Sequence, residues 1–168
     1  MKLEFCCPTL FGLEGIVADE LRFEGKLEDV RAENGRVFFT GDFNTLAWAN
    51  LNLRCAECVL IRLAKFKATN FEELFDNVYK IDWESWIGVN DAFPVKGHIL
   101  GSKINSLPHT QAMIKKSIVK RLESVYGVSW FEEVGSKVQI QFSIMNDIAE
   151  IFLDTSGAGL HKRGYRAN

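Results

Sequence analysis

The chain has 168 residues, 47% hydrophobic and 25% charged, with a net charge of -2 and a pI near 5.9. That composition suits one globular domain or two small lobes with a real core and excludes a disordered chain. No apolar run approaches membrane-spanning length and no apolar leader follows Met1-Lys2-Leu3-Glu4-Phe5, so the expected setting is soluble and cytoplasmic.

In chain order, Leu3, Phe5 and Cys7 alternate with Lys2, Glu4 and Cys6 as a half-buried strand. Leu13, Ile16, Val17 and Leu21 then recur at helical spacing up to Gly25. Asn34-Gly35, between strand-like residues 29–33 and 36–40, is a strong hairpin signal because both turn positions tolerate positive φ. Asp42 can cap a helix running through Leu51, with Phe43, Leu46, Ala47 and Leu51 inward. Val59, Ile61 and Leu63 close the unit as a strand. The order β-α-β-β-α-β is that of a ferredoxin-like lobe, over residues 1–67.

From Ala68 the pattern changes. Asn70 precedes Phe71, Leu74, Phe75 and Val78, a short amphipathic helix, and Asp82 precedes a second helical turn with Trp83, Trp86 and Ile87. These aromatics could serve as base-stacking platforms, but their 3.6-residue spacing favours a core role. Phe93, Val95, Gly97 and Ile99 alternate as a strand. A loop and a long helix follow, in which Ser106 is the expected N-cap, Pro108 lies in the first turn and Gly127 is the C-terminal stop. Val138, Ile140, Phe142 and Ile144 alternate with Gln139, Gln141 and Ser143. Asn146-Asp147 then turns the chain, and Ala149, Ile151 and Leu153 return. The second lobe therefore reads α-α-β-α-β-β over residues 68–155, which makes the fold class α+β. Residues 156–168 form a basic linker.

Charge is segregated along this frame. Residues 1–91 carry ten Lys/Arg against sixteen Asp/Glu, and residues 123–154 carry one against six. Residues 92–122 hold six cations (Lys96, Lys103, Lys115, Lys116, Lys120, Arg121) and two histidines with no carboxylate, and residues 155–168 add Lys162, Arg163 and Arg166. Two basic blocks inside an acidic protein are the footprint of a focused polyanion site. In the long helix Ile114, Ile118, Leu122 and Val125 form a packing stripe, while Lys116 and Lys120 sit one turn apart on the far side.

Other candidate chemistry is weaker. Cys55-Ala56-Glu57-Cys58 has CxxC spacing, but a zinc site would need Cys6 and Cys7 as the second pair, and neighbours on a strand point to opposite faces. The four cysteines are therefore read as buried or incidental thiols of a reducing compartment, with no metal. His98, His109 and His161 show no nucleophile-base-orienter spacing, so no catalytic residue is assigned. Gly157-Ala158-Gly159 lacks the following helix that a phosphate loop needs; the segment from Asp154 to Arg166 instead offers an open backbone and three cations to phosphate or to a neighbouring domain, or serves as an exit linker.

Several stretches carry a family resemblance. They are Phe11-Gly12-Leu13-Glu14, Leu53-Arg54 with Val59-Leu60, and Phe71-Glu72-Glu73-Leu74-Phe75 with Trp83. Ser102-Lys103 with Pro108 and Gln111 before Lys115-Lys116 adds to these, and LDTSGAGLHKRGYR from Leu153 to Arg166 is the most specific. Together they cover almost the whole chain, which resembles the N-terminal half of the bacterial THUMP-domain RNA methyltransferases that modify the guanine exocyclic amine, N(2), of 23S ribosomal RNA. The resemblance implies a ferredoxin-like subdomain followed by an RNA-binding THUMP domain. It further implies a Rossmann-like, S-adenosylmethionine-dependent catalytic domain beyond the GYR motif, so this chain alone is expected to be non-catalytic and to hold no cofactor. The family's Asn/Asp-Pro-Pro-Tyr/Phe motif has no counterpart, since the only prolines are Pro8, Pro94 and Pro108. Cys55 and Cys58 depart from the family, which more often has Thr and Arg there; this removes a cation from the first lobe.

The resulting expectation is a module that docks structured RNA, 23S rRNA ahead of tRNA, through Lys103, Lys115, Lys116, Lys120, Lys162, Arg163 and Arg166. The alternative is a free-standing THUMP adaptor that brings tRNA or rRNA to a separate enzyme. Neither reading involves a membrane.

Overall fold

The computed structural model describes residues 2–53 and 59–155. The first lobe contains β1 (Leu3–Pro8), α1 (Glu14–Asp19), β2 (Val30–Glu33), β3 (Arg36–Gly41), α2 (Phe43–Asn52) and β4 (Leu60–Lys67). The second contains α3 (Phe71–Tyr79), a 3-10 turn at Trp83–Ser85, β5 (Val95–Leu100), α4 (Leu107–Tyr126), β6 (Ile140–Met145) and β7 (Ile148–Asp154). This is the α+β order that the periodicities predict.

Local chemistry explains most of the boundaries. The Asp42 carboxylate accepts from the Thr45 backbone N–H at 3.0 Å while the Thr45 hydroxyl accepts from the Asp42 N–H at 3.3 Å, a reciprocal capping box for α2. Asn70 caps α3 by accepting from the Glu73 N–H at 2.8 Å. Gly127 ends α4 in the left-handed conformation, at φ 68°. Asn146 and Asp147 have φ of 51° and 65°, the pair of positive values that a two-residue type I′ turn demands between β6 and β7. At Asn34-Gly35 only Gly35 is in that region, at φ 80°.

The two lobes share one seven-stranded sheet, in the order β2-β3-β1-β4-β7-β6-β5. β4 is the seam. Among the described residues it meets β1 at Ile61 and Leu60, opposite Phe5 and Cys6, but pairs with β7 along its whole length, from Leu60 opposite Asp154 to Lys67 opposite Ile148. All four helices lie on one face, since Val17, Leu21, Leu46, Leu74, Ile114 and Ile118 join Phe5, Phe39, Ile61, Phe142 and Ile151 in a single buried core. Trp83, Trp86 and Ile87 belong to it as well: Trp83 is fully buried and its indole N–H donates to the Val78 carbonyl at 2.8 Å. Burial bears out a core role for both rings and removes them as stacking platforms, and Trp83 is satisfied there as well.

Several positions expected inside lie outside. Leu13 precedes the first helical turn and Ile16 is 54% exposed, because the inward stripe of α1 runs through Val17, Ala18 and Leu21 and then widens into a π-helical turn over Glu20–Glu24. Leu51 is 86% exposed and Ala49 takes the inward place in α2. Val125 faces solvent; the last turn of α4 is fastened instead by Tyr126, whose hydroxyl donates to the Ile87 carbonyl at 2.6 Å. A bulge between Arg62 and Ala64 interrupts the alternation of β4, so Ala64 and Phe66, opposite Ile151 and Ala149, follow Ile61 on the helix side.

Candidate nucleic-acid interface

α4 packs through Thr110, Ile114, Ser117, Ile118 and Leu122, all buried. Ser117 locks it to α3 by donating to the Phe75 carbonyl at 2.7 Å. With that face fixed, His109, Ala112, Lys116 and Lys120 form the exposed outer stripe. Lys120 approaches Glu123 at 3.5 Å, an exposed pair one turn on that leaves the ammonium open to solvent. Lys103 is exposed in the loop before α4, and its backbone is held in place. The Lys103 N–H donates to the Asp147 carboxylate at 2.8 Å, and the Asp147 N–H donates to the Ser102 hydroxyl at 3.0 Å.

Lys115, one residue from Lys116, has a different fate. Its ammonium is ion-paired to Glu133, donates to the Phe93 carbonyl at 3.0 Å and lies 3.6 Å from the centroid of the Phe93 ring. Burial opposes ionisation of Glu133 and is the largest single influence, but the Lys115 hydrogen bond, the Phe93 backbone N–H and the Lys115 charge together outweigh it and hold the carboxyl below its ordinary range. Lys115 therefore anchors the irregular segment around Glu133 to α4. Arg121 is likewise engaged, with both its Nε and its NH2 on the Glu84 carboxylate at 3.0 and 2.6 Å. Glu72 and Asp76 on α3, the helix packed beside α4, are exposed acids. Lys162, Arg163 and Arg166 lie outside the described residues, as do Cys55, Cys58 and His161.

The arginines of the sheet's open face are neutralised internally. Glu150, buried on β7, accepts from Arg36 at 2.8 Å and Arg62 at 2.9 Å. Burial pushes its carboxyl up, and the hydrogen bonds and charges of the two guanidinium groups together more than reverse that, leaving it below the ordinary range. Arg62 and Arg31 also bind Glu4, and Arg36 binds Glu33. Arg36 and Arg62 lie 4.7 and 4.6 Å from the centroid of Phe38, which clusters with Cys6, Leu60 and Phe152. Burial pushes the Cys6 thiol up to about 12, so it stays neutral. Cys7, on the opposite face of the same strand, is disulfide-bonded. That corrects the reading of four unbridged thiols; strand alternation keeps Cys6 and Cys7 apart, so neighbours in sequence behave differently.

Beside this cluster the open face carries a cleft of about 690 Å³, lined by residues of both lobes, among them Thr9, Phe11, Arg36, His98, Gln141 and Ser143. Sequence reading assigned no role to this cleft. Its only trace there is the polar set Gln139, Gln141 and Ser143 on a strand whose alternate residues are core.

A THUMP-domain model matches residues 68–154, and an RlmL ferredoxin-like domain model matches residues 4–60. The chain belongs to the THUMP family. Among THUMP relatives it is 42% identical over 169 residues to YpsC of Bacillus subtilis, named as a candidate RNA methyltransferase, and covers 43% of that protein. It is 31% identical over 166 residues to the ribosomal RNA large subunit methyltransferase K/L of Pseudomonas putida, covering 22% of it. Those alignments take in 99% and 98% of the present chain, so it spans less than half the length of either relative. A solved Listeria monocytogenes structure, named for N6-adenine-specific DNA methylation, superposes with a TM-score of 0.86 at 40% identity, over 99% of this chain and 44% of that one. The ferredoxin-like plus THUMP arrangement implied by the sequence motifs is therefore the one present.

Proposed function

We propose that this chain is the RNA-docking part of an S-adenosylmethionine-dependent RNA methyltransferase. Lys103, Lys116 and Lys120 would contact phosphates, joined by Lys162, Arg163 and Arg166. The observation that carries the reading is the stripe of α4, where two lysines one turn apart project outward from a helix whose other side is locked into the core. Lys115 is left out of the contact set because its charge is already spent on Glu133 and Phe93. Such a surface suits folded RNA, whose bases are largely hidden and whose backbone is the accessible feature.

Large-subunit ribosomal RNA is the preferred partner and guanine N(2) the preferred target, on the strength of the motif resemblance and the Pseudomonas relative's name. Methyl transfer itself would belong to a Rossmann-like domain of the kind that follows this module in the family. Filter binding to 23S rRNA fragments, with tRNA as competitor, tests the proposal. Lys116→Glu with Lys120→Glu should weaken binding by about tenfold or more, since each reversal removes a phosphate contact and adds repulsion. Unchanged binding by the double variant, or equal displacement by tRNA, rejects the docking surface or the rRNA preference respectively.

A further inference from the structure

We infer that the cleft on the open face of the sheet is a pocket for a single unpaired nucleobase of the docked RNA, distinct from the phosphate-contacting stripe on α4. This rests on the RNA-docking reading above and adds a second site to it. Two residues lining the cleft carry a buried polar atom with no hydrogen-bond partner among the described residues: the hydroxyl of Thr9, a residue 9% exposed, and the Nε2 amide of Gln141. Buried polar groups are ordinarily hydrogen-bonded, and two orphans lining one cleft call for a ligand that carries acceptors on its edge. Phe152 and Leu60 provide an apolar floor, and the Cys6 thiol beside them is uncharged.

Phe11 supplies a stacking surface. Its ring is 83% exposed, yet the loop that carries it is fastened at both ends. The Thr9 N–H donates to the Gly35 carbonyl at 2.8 Å. The Glu14 carboxylate then bridges the loop to the β2-β3 turn, accepting from the Gly12 N–H at 2.9 Å and the Gly35 N–H at 2.8 Å. A rigidly mounted, solvent-facing ring beside a cleft is the arrangement that single-stranded nucleic-acid binders use to hold a base.

Charge decides against a phosphate as the occupant. Arg36, the one guanidinium lining the cleft among the described residues, is ion-paired to both Glu33 and Glu150 and covered by Phe38. A flat, neutral group with hydrogen-bonding atoms on its rim fits the remaining chemistry, and a nucleobase offers that rim only when it is unpaired. The cleft also adjoins β5, the edge strand, whose open-face residues Lys96 and His98 lead along the chain into the Lys103 loop.

The test uses three RNA duplexes of equal length: one fully paired, one with a single bulged 2-aminopurine, and one with an abasic bulge of the same backbone charge. The chain should bind the 2-aminopurine bulge about tenfold tighter than the abasic one, a typical effect of one stacked base, with a change in 2-aminopurine fluorescence. Phe11→Ala and Gln141→Leu should each reduce that preference while leaving affinity for the paired duplex unchanged; Phe23→Ala, an exposed aromatic away from the cleft, should change neither. Equal affinity for the 2-aminopurine and abasic bulges overturns the pocket but leaves the docking surface standing. Failure to bind any of the three duplexes overturns both. A concentration-dependent dimer that is lost on Phe11→Ala would assign the cleft to self-association and also overturn the pocket.

Discussion

On the helix-covered side of the sheet Phe39, Ile61, Phe142 and Ile151 are sealed between the strands and four helices; on the open side the same strands present Arg36, Phe38, Arg62, Glu150 and Phe152. The covered face is stabilised by apolar area, which needs only hydrophobic residues of suitable volume in alternation. Among the described residues no helix covers the open face to exclude water from its centre. There the strands are cross-linked by guanidinium-carboxylate pairs over one aromatic ring, and the linkage ties β7 of the second lobe to β1, β3 and β4 of the first. One face therefore supplies stability, and the other fixes how the two lobes are aligned and leaves room for a cleft.

The largest effect should come from the covered face. Phe142→Ala empties a buried site on β6 and should cost about 3–5 kcal/mol in urea unfolding. Next comes Glu150→Ala, which strands Arg36 and Arg62 without their buried acceptor and should cost about 3 kcal/mol. A loss as small as that of an exposed pair would show that the open-face cluster is ornamental.

The same carboxylate sharpens the comparison through pH. Its folded pKa lies below the ordinary value of 4.5, so its contribution is fully present above pH 4.5 and is lost as pH falls through the folded pKa. Glu4 behaves alike, with burial outweighed by Arg62 and Arg31. Glu150→Gln should therefore flatten the fall in stability below pH 4.5, whereas Phe142→Ala should lower the curve without changing its pH slope. Smaller still is Lys115→Met, expected to lose about 1 kcal/mol of stability from the ion pair and ring contact while RNA affinity stays near wild type. Phe11→Ala should lie within about 0.5 kcal/mol of wild type in the same unfolding measurement, because its ring is exposed.

Much of the fold was legible because its signals are local. Alternation marks β1, β5, β6 and β7, side-chain caps mark α2 and α3, and Asn146-Asp147 marks a turn. The merging of two lobes into one sheet was not legible, since β4-β7 pairing depends on a long-range register and on the Arg62/Ala64 bulge. The site divides in the same way. Helical geometry alone places Lys116 and Lys120 outward together, but the fate of Lys115 depends on Glu133, 18 residues on in an irregular segment. The open-face cluster joins Glu150 to arginines 88 and 114 residues earlier, a pairing no motif encodes. The role of Glu14, within the Phe11-Gly12-Leu13-Glu14 stretch, became visible only once Gly35 was seen to lie against it.

The most direct test of RNA docking is a salt titration of binding to a 23S rRNA fragment by wild type and by the Lys116→Glu, Lys120→Glu variant. If roughly four to six phosphates are engaged, log affinity should fall with log salt at about 0.7–0.9 per phosphate, and the variant's slope should be shallower by nearly two phosphates' worth. Affinity indifferent to ionic strength, or an identical slope for the two proteins, would contradict the account.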